Sequence, residues 1–128
     1  MADELHDEMK KIAEKIPGCR HVSLVGYDGI PVAQHIVDAH YDVNAFDAEI
    51  SSIMLISRET KENLALSDER ELIWLTKDSF FIIHPIGDDY FAYACLKATG
   101  SNPGAARIAL NKAGQKIQTL IYQEPLSR

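Results

Sequence analysis

The chain is short of cysteine and tryptophan, with two and one in 128 residues. Two thiols, Cys19 and Cys95, make no disulfide framework, and both sit in apolar, strand-like segments where reduced cysteine is the expectation and a bridge the minor alternative. No apolar run approaches the roughly 18 residues that a membrane-spanning helix needs. The opening residues, MADELHDEMKK, are charged where a secretory signal would be apolar. A cytoplasmic location without membrane insertion is therefore expected. Basic residues are in deficit, 13 Lys and Arg against 19 Asp and Glu, for a net charge of -6. That balance argues against nucleic acid, whose binders concentrate Lys and Arg on one face, and suits a protein partner. Also missing are GxxxxGK[ST], GxSxG, HExxH and CxxC, so phosphate-loop, hydrolase and common zinc chemistry lack their spacing. No repeat, low-complexity tract or long linker divides the chain, and residues 1–128 read as a single domain.

What is present is a clear alternation of periods. Leu5, Met9, Ile12, Ala13 and Ile16 share one helical stripe that Pro17-Gly18 ends. Two β-rich runs, 21–27 and 30–36, flank Asp28-Gly29, which tolerates the positive φ of a tight hairpin. Pro31, lacking a ladder donor, belongs at a sheet edge or at the first position of its strand. After a polar loop, Phe46, Ile50, Ile53, Met54, Ser57 and Leu64 recur at helical spacing from near Ala45. Within this second helix Ile53, Met54, Leu55 and Ile56 are consecutive, so apolar groups point all round the axis and more than one side must be covered. Leu55 faces away from the Phe46 stripe, among Ala48, Ser51, Ser52 and Glu59. Three more β-rich runs, 70–76, 79–86 and 90–96, are joined by turns short enough only for antiparallel neighbours. Asn102-Pro103 then opens a third helix with Ala106, Leu110, Ala113, Ile117, Leu120 and Ile121 on its buried stripe, and Pro125 closes it. The result is an α+β sandwich around an antiparallel sheet. If the third strand, with Leu72, Ile73, Trp74 and Leu75, forms an edge, its unpaired backbone beside apolar side chains calls for a cover. A second copy related by a two-fold axis would supply it, strand to strand, with second helix meeting second helix.

Candidate chemistry is sparse, and a plain structural account outweighs each case. His35, Asp38, His40 and Asp42 cluster around a polar loop, yet loop polarity alone explains them and no metal is expected. Cys19 and His21, two apart on one face of a strand, read as a buried thiol beside a half-exposed histidine. His84 reads as a satisfied core histidine, and Asp88-Asp89 as turn formers. Gly114, inside the third helix at a cost of about 1 kcal/mol against Ala, points to close packing on the sheet or first helix. Arg58, Arg70 and Arg107 are the residues to test as arginine fingers, although surface arginines more often serve solvation and ion pairs. No cofactor is implied, and no catalytic residue is assigned.

Four segments together resemble the Roadblock family, in its prokaryotic MglB-like branch, over nearly the entire chain. They are GCRHVSLVGYDGIPVAQ, AEISSIMLISRETKENL, GDDYFAYACLK and SNPGAARIALNKA. The resemblance implies a profilin-like architecture: a five-stranded antiparallel sheet in the order 2-1-5-4-3, with helix two on one face and helices one and three on the other. It further implies a homodimer joined through strand three and helix two, with Leu55, Leu72, Ile73, Trp74 and Leu75 at the interface. Members of this branch bind Ras-like small GTPases of the MglA type and activate or scaffold them without being enzymes. Ala48, Ser51, Ser52, Leu55 and Glu59 are the partner-binding positions so implied. Other Roadblock domains are structural or motor-linked adaptors, such as dynein light chains, which is the alternative reading.

Overall fold

The structure, a computed structural model, describes residues 2–123, so Pro125 lies outside the described residues. Helix α1 (Ala2–Glu14) begins with Asp3 and Glu4 and carries Lys11 in its last turn, charges that favour the helix dipole. Pro17-Gly18 turns the chain, with Gly18 at φ +79° against Ser101, where a Cβ would come within 2.6 Å of the serine Cβ. Strands β1 (Cys19–Gly26) and β2 (Pro31–Ile36) form the expected hairpin. In its turn Gly29 takes φ +86° and the Asp28 carboxylate accepts from the Ile30 amide at 3.0 Å. Pro31 meets both of its conditions, being first in its strand and on an edge strand.

Helix α2 (Val43–Asn63) starts two residues ahead of expectation, because the Asp42 side chain caps it by accepting from the Asn44 amide. It ends at Asn63, so Leu64, expected on the buried stripe, is instead the exposed C-cap residue. Ala65 follows at φ 54° and helps to satisfy the last carbonyls. Strand β3 (Leu72–Leu75) is shorter than the sequence pattern predicts; β4 (Ser79–Ile86) and β5 (Tyr90–Lys97) complete the meander. Helix α3 (Pro103–Gln123) is capped by Asn102, whose side chain accepts from the Ala105 amide. The sheet is antiparallel in the order β2-β1-β5-β4-β3.

Strand alternation sends side chains to two cores. Under α1 and α3, Leu5, Met9, Ile12, Leu110 and Ile117 close over Val22, Leu24, Ile82, Ala94 and Leu96. Under α2, Ile50 and Met54 close over Val25, Phe81, Ile83, Phe91 and Tyr93. Gly114 lets α3 approach β4: a Cβ there would sit 3.3 Å from His84 Nε2 and 3.6 Å from Ile86. Close packing on the sheet is thus the reason for that glycine. No helix among the described residues is long and apolar enough to cross a membrane.

Candidate partner-binding surface

Two elements leave apolar surface uncovered. On α2, Val43, Asp47, Ile50, Ser51 and Met54 turn inward at helical spacing, and Leu55 and Ile56 are left 46% and 64% exposed. Strand β3 pairs with β4 alone, through Leu72↔Ile83 to Leu75↔Phe80, so its other side offers unpaired backbone groups at the sheet edge. Leu72 is half-buried against the α2-side core, whereas Ile73, Trp74 and Leu75 are exposed. The Trp74 ring stacks on Phe81 at 5.5 Å. Between helix and edge runs an open groove of about 420 Å³ lined by Ala45, Phe46, Glu49, Trp74, Thr76 and Phe81.

Of the expected partner-binding positions, Ala48, Ser52, Leu55 and Glu59 do lie on the exposed side of α2. Ser51 does not. It is buried, its hydroxyl donates to the Ala48 carbonyl at 2.7 Å, and it abuts Gly29 of the hairpin. At about 100° per residue Ser51 lies between the inward Ile50 stripe and the outer face, and the proximity of the hairpin decides which it joins.

The arginines are mostly engaged. Arg58 lies over the Tyr27 ring, 3.7 Å from its centroid, and donates to the Asp88 carbonyl, tying α2 to two turns. Arg107 pairs with Glu71 at 2.6 Å, on the α3 side of the molecule. Arg70 is exposed just before β3. The His35–Asp42 loop does not converge on a point: Asp42 caps α2, and Asp38 meets His40 at 3.2 Å and Lys97 at 3.7 Å. No group of three or more His, Cys, Asp or Glu suited to a metal occurs among the described residues.

Cys19 and His21 correct another expectation. The pairing of β1 with β5 shifts register between them, which breaks the alternation that would have put both on one face. Cys19 joins the α1/α3 core, where burial pushes its thiol up to about 12; both cysteines are free and buried. His21 is fully buried under α2 instead of half-exposed. It belongs to a chain of hydrogen bonds that the sequence reading missed. Tyr93 donates to Asp47 at 2.5 Å, and its oxygen lies 3.0 Å from His21 Nε2. With the tyrosine proton committed to the carboxylate, Nε2–H donates to Tyr93, and Nδ1 accepts from Tyr41 at 2.7 Å. Gln34 donates to Asp47 at 2.6 Å. Burial lowers the His21 pKa to about 4, so the ring is neutral near pH 7. Burial also raises the Asp47 pKa, against the hydrogen bonds from Tyr93 and Gln34 that lower it. The available signal was Asp47 itself, a carboxylate on the same stripe as Val43, Ile50 and Met54.

Element order, strand order and the division of helices between the two faces define the Roadblock/LC7 fold, and this chain has it. Comparison with solved structures bears this out. MglB of Myxococcus xanthus superposes with a TM-score of 0.85 at 8% identity, covering 95% of this chain and 90% of that one. A Roadblock/LC7 domain from Streptomyces avermitilis gives 0.81 at 11% identity, covering 91% and 97%. MglC of Myxococcus xanthus gives 0.66 at 23% identity, covering 93% and 98%. No family model and no curated protein matches the sequence.

Proposed function

We propose that the protein is a homodimeric regulator of a small Ras-like GTPase of the MglA type, as an activator or scaffold, without catalytic activity of its own. The observation that carries this reading is the apolar surface left uncovered on two elements, Leu55 and Ile56 on α2 and Ile73, Trp74 and Leu75 on the β3 edge. Such an edge associates strand to strand, and a two-fold axis beside it brings α2 against its own mate. The GTPase part rests on the sequence resemblance, with Ala48, Ser52, Leu55 and Glu59 on the paired helices as the partner surface. No phosphate-binding loop occurs in the chain, so nucleotide, magnesium and attacking water belong to the partner, and the dimer contributes positioning.

Light scattering at micromolar concentration is expected to give a dimer for the native chain and a monomer or aggregate for Leu55→Glu, which forces a charge into the apolar contact. A native monomer overturns the reading. Single-turnover GTP hydrolysis by an MglA-type GTPase separates activator from scaffold. For an activator, affinity rises with a transition-state mimic, since equal binding of both states gives no acceleration. Alanine at Arg58, Arg70 or Arg107 is then expected to cost far less than the roughly 10³-fold loss that marks an arginine finger. Ser52→Trp is expected to hold the partner off. A stable dimer that binds no such GTPase selects the adaptor role instead.

A further inference from the structure

The face opposite α2 carries a concentration of charge at odds with the whole. In a chain of net charge -6, Lys11 of α1, Lys15 in the turn that follows it, and Lys112 and Lys116 of α3 line one groove of about 230 Å³. Its lining also includes Ile12, Ala109 and Ala113, apolar and largely buried, with small alanines on the α3 side. One carboxylate already sits there. Glu8, only 6% exposed, meets Lys116 at 2.6 Å and Lys11 at 3.5 Å. Lys15 and Lys112 are exposed and have no ion-pair partner among the described residues. Glu4, one turn before Glu8 on α1, adds a further carboxylate on this side of the molecule.

We infer that this groove docks an acidic segment of a partner protein, its carboxylates bridging Lys15 and Lys112 and its apolar side chains resting on Ile12, Ala109 and Ala113. Three features select that occupant. Glu8 demonstrates the pairing chemistry in place, since the groove's lysines already clasp one carboxylate. The site is a furrow between two helical ridges with an apolar floor, a shape for a chain and not for a flat bilayer. An acidic protein approaching a bilayer would also bring its remaining carboxylates to the anionic surface within the roughly 8 Å over which charges act at physiological salt. Lysines present point charges without the bidentate fork that selects phosphate. The groove lies across the sheet from α2, so the inference does not depend on the proposed dimer or GTPase.

The test is fluorescence anisotropy with a labelled peptide of alternating Glu and Leu, alongside a Lys/Leu peptide, inorganic phosphate as competitor and phosphatidylserine vesicles in a flotation assay. Saturable binding of the acidic peptide alone is expected, weakening about 10-fold from low to physiological salt. Lys15→Glu with Lys112→Glu is expected to weaken it at least about 10-fold, and Lys15→Arg with Lys112→Arg to retain it. An unchanged melting temperature shows that the reversed variant is folded; the milder Lys15→Gln, Lys112→Gln pair gives the same test if it is not. Lack of saturable peptide binding, equal binding by the charge-reversed and native proteins, or preferential retention on vesicles or displacement by phosphate overturns the inference.

Discussion

Beneath α1 and α3, the sheet is sealed by apolar contact: Leu5, Met9, Ile12 and Ala13 from one helix and Ala106, Ala109, Leu110 and Ile117 from the other. Beneath α2, the helix brings Val43, Ile50 and Met54 together with a buried carboxylate whose hydrogen bonds reach Tyr93 and, through it, His21 and Tyr41. The difference teaches how one sheet can have a fixed side and a presenting side. Burying apolar area stabilises without preferring one orientation, whereas a directional bond to Asp47 sets the rotation of α2 about its axis. That rotation determines that Leu55 faces outward. The helix that is least deeply packed is thus the one whose outer face is most closely specified.

The largest effect is expected from emptying the apolar side. Met9→Ala, at a fully buried position, is expected to cost about 2–5 kcal/mol by denaturant titration. A loss under 1 kcal/mol would mean that this layer collapses around the cavity and is no better packed than the other. Next comes Asp47→Ala, which leaves the Tyr93 hydroxyl and Gln34 amide without their acceptor, at about 1–3 kcal/mol. Its signature is local: amide exchange is expected to quicken in α2 while α1, α3 and the central strands stay protected. Uniform loss of protection would show the two sides to be one cooperative unit.

The pH dependence sharpens the same contrast. Folded His21 has its pKa lowered from 6.5 to about 4, so the unfolded chain takes up a proton before the folded one does. Its contribution is complete above about 6.5 and is lost as pH falls through 4, up to about 3 kcal/mol. Asp47, with a raised pKa, has the opposite sign: its contribution grows as pH falls, offsetting part of the loss. His21→Gln is therefore expected to flatten the fall in melting temperature between pH 6.5 and pH 4; an unaltered slope would place the titration elsewhere. Smaller still, Gly114→Ala gains helix propensity of about 1 kcal/mol but meets His84 at 3.3 Å, so a net change within about 1 kcal/mol is expected. Last, a chelator is expected to leave the melting temperature where it is, since Asp38 and Asp42 already have protein partners.

Much of the fold is legible in local pattern. The Leu5-to-Ile16 stripe, the Asp28-Gly29 turn and the Asn102-Pro103 helix start each express a preference of a few neighbouring residues, and the structure keeps them, except that α1 ends at Glu14 and Ile16 is buried from the turn beyond it. The edge position of β3, only a condition in the reading of the apolar run around Trp74 and implied by the family resemblance, is what the sheet shows. The candidate surface was legible less evenly. Leu55, Ser52, Ala48 and Glu59 face out as their spacing implies, but Ser51 sits at the border of two faces and only the neighbouring hairpin sends it inward. Cys19 and His21 parted because a register shift is a property of strand pairing and leaves no mark on the spacing of two residues in one strand.

By itself, then, the sequence determined the kind and order of the elements, because helical and strand periods, turns and caps are settled over spans of a few residues. Tertiary structure decided which side chains meet. Asp47, His21 and Tyr93 come from α2, β1 and β5, and His21 and Tyr93 stand 72 positions apart. Their hydrogen bonds exist only once the sheet is paired in register and the helix laid across it, since directional contacts of this range depend on atomic placement that no local period encodes.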